Sequence, residues 1–341
     1  GAGGGLNGPT EHERHPMTNI SRRRIALAVP ALAASAIAAP VFAQAPYPSQ
    51  PIRIIVPFGP GGSPDQFSRQ LAKVLSERVR QPVVVENKPG ANSMLGTGYV
   101  ARNVQADGYT ILYGTNSGMS AARSMVKAMT YDPVNDLAGV TMTQETSFVL
   151  VTSSANKGMN LAELIRRVRA NPGKVELAGA SVTTAVTARM MSNAGKLDMV
   201  YVPYKENSRM LLDLMAGQVL VGFSPIPAAK PLIEQGKIVP IAITGADRVA
   251  LLPDTPALSE QLPGVALTTW TGFFVPARTP RPIVDFLHKQ ITEITRQPEL
   301  QASILESGRP LSMTPAQIDE FVRKDEQRWA GLFKAAGIEP Q

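Results

Sequence analysis

The sequence predicts an α/β protein made of two successive blocks of alternating strands and helices, with further helices at the C-terminus. Three observations carry this reading. Short apolar runs such as "IRIIV" and "YTILY" alternate with amphipathic stretches of helical period, which is the pattern of βαβ units and parallel sheets. The alternation is completed once by Met129 and a second set opens at Asn160. A glycine-rich turn, "PFGPGGSPD" (57–65), lies between the first strand and the first helix, where open α/β folds place ligands.

In the first block, "IRIIVPF" reads as a buried strand and 63–80 as a helix with Phe67, Leu71, Val74, Leu75 and Val79 on its inner face. Ser63 is the expected cap, Pro64 the first helical residue and Gln66 the capping-box partner. "PVVVEN" is the second strand, "MLGTGYVAR" the second helix, "YTILYGT" the third strand and "SGMSAARSMVKAM" the helix after it. In the second block, "NLAELIRRVRANPGKV" opens on an Asn160 cap with Glu163 three residues on. "VELAG" is a strand and "TTAVTARMMSNAG" a helix ended by Gly195. "MVYVPY", "VLVGFS" and "VPIAITG" are strands separated by helices. The tail holds "RPIVDFLHKQITEITRQ", a short helix near Glu299, and a long helix started by Thr314, Pro315 and Gln317.

The N-terminus reads as a leader. Met17 is the expected initiator, and "SRRRIALAVPALAASAIAAPVFAQA" has the basic, apolar and small-residue regions of an export signal, cleaved after Ala43 or Ala45. Ser21 to Ile25 partly matches a twin-arginine signal, and a Sec route fits as well. Pro30, Pro40 and the alanine-rich composition argue against a membrane anchor. The whole chain has a formal charge of +7. Residues 1–43 carry four arginines and two glutamates, so the remainder keeps +5. That remainder shows no basic cluster, and 6% aromatic content offers few stacking platforms, so nucleic acid is not an expected partner.

The chain has no cysteine, which excludes disulfides and thiol catalysis. Of its three histidines, His12 and His15 fall in the leader; His288 is expected mid-helix at a surface. No G-x-S-x-G, H-E-x-x-H or calcium-loop pattern occurs, so neither a metal nor a cofactor is expected. A hydrolase of organic-acid esters or amides using a Ser/Lys pair remains the alternative on composition, since Lys205 and many serines are present.

The opening turn has the features of an anion site: Gly59, Gly61 and Gly62 free the backbone, and the first turn of the helix exposes N–H groups. No Lys-Ser/Thr pair follows, and Pro64 stands where a dinucleotide fingerprint needs glycine. Asp65 already places a negative charge at the helix start, which disfavours pyrophosphate and suits a carboxylate held by neutral donors. A tight turn that binds nothing reads equally well from this stretch alone. Ser181, Thr183 and Thr184 at the strand-to-helix junction of 178–191 hold a second polar end of a ligand, or else Thr183 or Thr184 simply caps the helix. Asn116 and Ser117 in "GTNSG", and Tyr204 and Lys205 in "VPYKEN", lie at similar strand ends.

The order of "IRIIVPFGPGGSPD", "VVVENKPGANSMLGTGYVARNVQADGYTIL", "YDPVNDLAGVT", "ELIRRVRANPGKV", "VYVPYK", "LMAGQV", "RVALLPDTPALSEQLPG" and "GFFVPARTPRPIVDFL" resembles the Bug family of exported solute-binding proteins, linked to tripartite tricarboxylate transporters. The resemblance runs from about residue 47 to 337. It implies a type II periplasmic binding protein: two Rossmann-like α/β domains joined by two crossing strands and closing on a small carboxylate. It implies domain boundaries at 44–145 plus 269–341 and at 146–268, with "TTWTGFFVPA" crossing back; Trp270 on this crossing is either core, the preferred reading, or part of the pocket wall. By position, Phe58, Gly61, Gly62, Ser63 and Asp65 match the family's first ligand loop, and Asn116 and Ser117 its second. Ser147 matches the crossover, Ser181, Val182, Thr183 and Thr184 the Gly/Ser/Thr-rich loop, and Lys205 the V-P-Y-K motif. The chain departs from the family pattern at Ser181, Ala185 and Glu206, in the region that selects the ligand. The implied partners are a small carboxylate and either membrane transporter subunits or a sensor, with the protein itself a monomer.

Overall fold

Four of the five residues of the first strand, Ile52–Val56, are buried, which is why an unbroken apolar run sits there: the strand has neighbours on both sides and helices on both faces. The computed structural model describes residues 46–340, excepting the Ser307 side chain; the leader and its export signal lie outside the described residues. The strands in chain order are β1 (Ile52–Val56), β2 (Val83–Asn87), β3 (Thr110–Thr115), β4 (Leu137–Thr146), β5 (Phe148–Ser153), β6 (Val175–Gly179), β7 (Met199–Pro203), β8 (Val221–Pro225), β9 (Ile238–Ile243), β10 (Thr269–Pro276) and β11 (Arg309–Pro310). The helices are α1 (Ser63–Val79), α2 (Met94–Arg102), α3 (Ala122–Met125), α4 (Leu161–Ala170), α5 (Val182–Gly195), α6 (Asn207–Met215), α7 (Ile226–Glu234), α8 (Arg281–Thr295), α9 (Pro298–Ser307) and α10 (Pro315–Ala336).

Two mixed sheets result, ordered β11-β4-β10-β3-β1-β2 and β7-β6-β8-β5-β9. The chain passes from the first to the second through Ser147, between β4 and β5, and returns to the first at β10. We call each sheet with its helices a lobe. In the first lobe, α1, α8 and α9 cover one face around Ile54, Leu71, Leu287 and Ile304, and α2 and α10 cover the other around Val100, Met142 and Ile318. In the second, α4 and α5 lie on one face and α6 and α7 on the other. The strands β1, β2 and β3 are mutually parallel, as are β6, β7 and β8. Their C-terminal ends therefore carry the loops that precede helices, and β1 and β6 each lie between two parallel neighbours, the position of a topological switch point.

Local expectations need four corrections. The cap of α1 is Gly62, not Ser63; Asp65 reaches back to the Gly61 N–H and Gln66 donates to the Gly61 carbonyl, so no Ser63–Gln66 box forms. The cap of α5 is Ser181, in a reciprocal box with Thr184, not either threonine. The helix after β3 is four residues long, because residues 116–121 close turns on the strand end: Met119 N–H bonds the Thr115 carbonyl and Ala121 N–H that of Asn116. His288 is mid-helix but not at a free surface; it is half-buried, with Nδ1 2.7 Å from the Val140 carbonyl of β4. The Ser181 box satisfies two amides at the start of α5. Ser181→Ala is expected to lower stability by about 1 kcal/mol, readable as a lower denaturant midpoint with an unchanged m-value.

Candidate functional site

The turn 57–62 is built around a buried carboxylate. Gly61 has φ +85°, a conformation that glycine adopts without penalty. Its N–H then donates to Asp65 Oδ2 at 2.9 Å. Arg69 Nε donates to the same oxygen at 3.0 Å, and Asn87 Nδ2, at the end of β2, to Oδ1 at 2.9 Å. Asn87 also donates to the Phe58 carbonyl at 3.1 Å. The Asp65 side chain is 4% exposed. The hydrogen bonds from Arg69 and then Gly61 hold its pKa at about 2, against an ordinary 3.8. Asp65 thus spends its lone pairs inside the loop, while Gly61, Gly62 and Ser63 are exposed and Phe58 is half-buried against the core.

At the end of β3, Asn116 is 1% exposed. Its Nδ2 donates to Thr183 Oγ1 at 3.1 Å, and its Oδ1 accepts from the Thr269 hydroxyl at the start of β10. Asn116 therefore links the β3 loop of the first lobe to the N-terminus of α5 in the second. Ser117, beside it, is half-buried. Thr183 is buried, and Thr184 Oγ1 bonds both the Ser181 carbonyl and the Tyr201 hydroxyl. The Tyr204 N–H bonds the Gly179 carbonyl at 2.8 Å, which brings the V-P-Y-K turn beside the Ser181 turn. Lys205 and Glu206 are exposed there, and Lys205 makes no ion pair among the described residues.

Two further expected residues have mainly apolar or crossover surroundings. Val182, the first residue of α5, is half-buried and packs against the cluster of Ala121, Val186, Trp329 and Phe333. Ser147 is buried at the crossover with its Oγ against Gly245, and it lines a separate cavity of about 1070 Å³ between the segment 245–251 and residues 302–310, beyond the crossing strands. Trp270 is core, 3% exposed, on β10.

The structure adds residues that sequence reasoning did not single out. Asn87 and Arg69 hold Asp65, and Thr269 holds Asn116. Thr115 Oγ1 at the end of β3 and Asn207 Oδ1 at the start of α6 are buried without a protein hydrogen-bond partner. Asn87 was visible as the polar end of an apolar strand; the partner of Asn116, 153 residues away, had no local signal. Among the described residues no group of histidine and carboxylate side chains has metal-site geometry, and no helix is long and apolar enough to cross a membrane.

Residues 67–338 match the profile of the tripartite tricarboxylate transporter family receptor, TctC. The protein BugT of Bordetella pertussis is 32% identical over 313 residues, covering 90% of this chain and 95% of BugT. The solved structure of the periplasmic binding protein BugD is 31% identical with a TM-score of 0.76, covering 86% of this chain and all of BugD. An R. palustris protein solved with adipate is 29% identical with a TM-score of 0.79, covering 86% of this chain and all of that one.

Proposed function

This chain belongs to the tripartite tricarboxylate transporter receptor family of Bug-type solute-binding proteins, and on that premise we propose that it is a periplasmic protein capturing a small organic carboxylate in the crevice between its lobes, for delivery to a transporter or a sensor. The observation that carries the reading is the Asn116–Thr183 bond, which joins switch-point loops of opposite lobes. The adipate complex of a relative supports an acid as the ligand.

One carboxylate of the ligand meets neutral donors of the first lobe: the exposed amides of Gly62 and Ser63, and the Ser117 hydroxyl. Asp65, ionised throughout the physiological range, keeps a doubly charged phosphate away from the same helix end. The second lobe offers the half-buried Ser181 hydroxyl and, at its rim, the Lys205 ammonium for a second acidic end. The Ser/Lys hydrolase alternative needs an amine against a serine hydroxyl, and Lys205 makes no such bond among the described residues. His288 is tied to the Val140 carbonyl on β4, away from these loops.

Calorimetry of the protein against mono-, di- and tricarboxylates tests the reading. A ligand that binds the folded state at one hundred times its Kd adds about 2.7 kcal/mol of stability, so thermal shifts report the same event. Lys205→Ala is expected to weaken a dicarboxylate roughly fivefold and leave a matched monocarboxylate unchanged, the size of a partly exposed charge contact. Flat titrations and melting curves across the whole panel would overturn the reading.

A further inference from the structure

Helix α10 ends the chain but touches both lobes. Ile318 and Val322 seat against Met142, Trp270 and Phe274 of the first lobe, while Trp329 and Phe333 reach Val186 of α5 and Leu267. Asn193 of α5 also donates to the Ala335 carbonyl. Midway between these two contacts lies Asp325, 5% exposed. Its Oδ2 accepts from the Ser120 hydroxyl and, at 2.7 Å, from Trp270 Nε1. Its Oδ1 lies 3.6 Å from an Arg328 nitrogen, too long for a tight pair. A carboxylate at such a depth persists only where hydrogen bonds replace its water, and these two donors do so.

The two donors are not interchangeable scaffolding. Ser120 belongs to the turn that carries Asn116 and Ser117, and Ala121 in that turn bonds the Asn116 carbonyl. Trp270 follows Thr269, whose hydroxyl donates to the Asn116 side chain. One carboxylate on α10 therefore grips both segments that hold Asn116, one through its own loop and one through the crossing strand. We infer that Asp325 is a positioning residue for the crevice: through Ser120 and Trp270 it sets the placement of Asn116, and so of the Asn116–Thr183 link, without meeting the ligand. The inference rests on the carboxylate-binding reading above. The chain's two tryptophans, Trp270 and Trp329, flank Asp325 on this seam, so intrinsic fluorescence responds to movement there.

The test uses the full chain and three variants. Ser120→Ala detaches the loop from the carboxylate; Asp325→Asn keeps an amide oxygen able to accept from both donors; Ile318→Val trims the apolar part of α10 while removing neither donor and serves as the stability control. The readouts are amide hydrogen exchange of residues 116–121, Kd by calorimetry for the tightest acid found with the wild type, and the ligand-induced change in tryptophan fluorescence. Ser120→Ala is expected to speed exchange in that loop and raise Kd about tenfold with a smaller fluorescence response. Asp325→Asn stays within about threefold of the wild type, and Ile318→Val lowers the melting temperature with Kd unchanged. Loop exchange and Kd at wild-type values in Ser120→Ala, or a rise in Kd as large in Ile318→Val, overturns the inference. A wild type that binds no acid overturns the carboxylate reading instead, and the exchange comparison still decides whether Asp325 holds the loop.

Discussion

Asp65→Ala is expected to destabilise the protein by about 2 kcal/mol and to weaken ligand binding about tenfold. The substitution takes the carboxylate away from three donors, the Gly61 N–H, Arg69 Nε and Asn87 Nδ2, of which Asn87 keeps its bond to the Phe58 carbonyl. Hydrogen bonds to a charged group contribute roughly 1.5–3 kcal/mol each, but the Arg69 side chain is 52% exposed and regains water, so the lower part of the range applies. For the ligand two effects oppose. Removing a negative charge from the first turn of α1 favours an incoming anion by about 0.3–1 kcal/mol. Releasing Gly61 from its anchor means that the loop must be ordered at the moment of binding, at about 1–2 kcal/mol per residue fixed, and this term wins. Asp65 also sets an acid limit. Its pKa is about 2 in the folded protein and 3.8 ordinarily, so its stabilisation is complete above pH 3.8 and is lost as pH falls through about 2. Asp65→Asn, which cannot titrate, is expected to flatten stability against pH in that window, measured by urea midpoints at successive pH values. An unchanged acid slope in the variant would mean that another carboxylate governs it.

How much of this was legible in the sequence follows the range of the interactions. β6 falls on "VELAG", α2 on "MLGTGYVAR", and α10 starts at a Thr314–Gln317 box, because apolar period and capping chemistry act over a few residues. The same local reasoning misplaced the cap of α1: Ser63 is a good capping residue, but Asp65 competes for the loop and is held from β2 by Asn87, 22 positions on. The anion-suited loops were legible as glycine and hydroxyl turns at strand ends. Which of them meet was not. Asn116 and Thr183 are 67 residues apart and Ser120 and Asp325 205 apart, and periodicity says which face of an element is buried without saying what that face meets. His288 shows the same limit: its place in α8 was clear, and its bond to the Val140 carbonyl came only with the packing of α8 on β4.

Asn116→Ala is the other substitution with a large expected effect, a loss of about 2 kcal/mol of binding free energy and so a rise in Kd of roughly thirtyfold. The side chain is 1% exposed and uses both of its ends, accepting from Thr269 on the crossing strand and donating to Thr183 at the start of α5. Alanine leaves the buried Thr183 hydroxyl and the half-buried Thr269 hydroxyl without these partners, and the cost falls on the arrangement in which the lobes meet. If the ligand binds that arrangement, its apparent affinity falls in proportion to the population lost, and the change appears in the dissociation rate more than in the association rate. Thr183 separates this account from simple damage to α5. Thr183→Ser keeps the accepting oxygen and is expected to bind within about threefold of the wild type. Thr183→Val keeps the shape, removes the oxygen and is expected to approach Asn116→Ala. Stopped-flow tryptophan fluorescence gives both rate constants. Wild-type dissociation in Asn116→Ala, or equal behaviour of Thr183→Ser and Thr183→Val, would show that the lobes close without this bond. The double variant Asn116→Ala, Thr183→Val is then decisive: a shared hydrogen bond predicts that its cost is close to that of either single change rather than their sum.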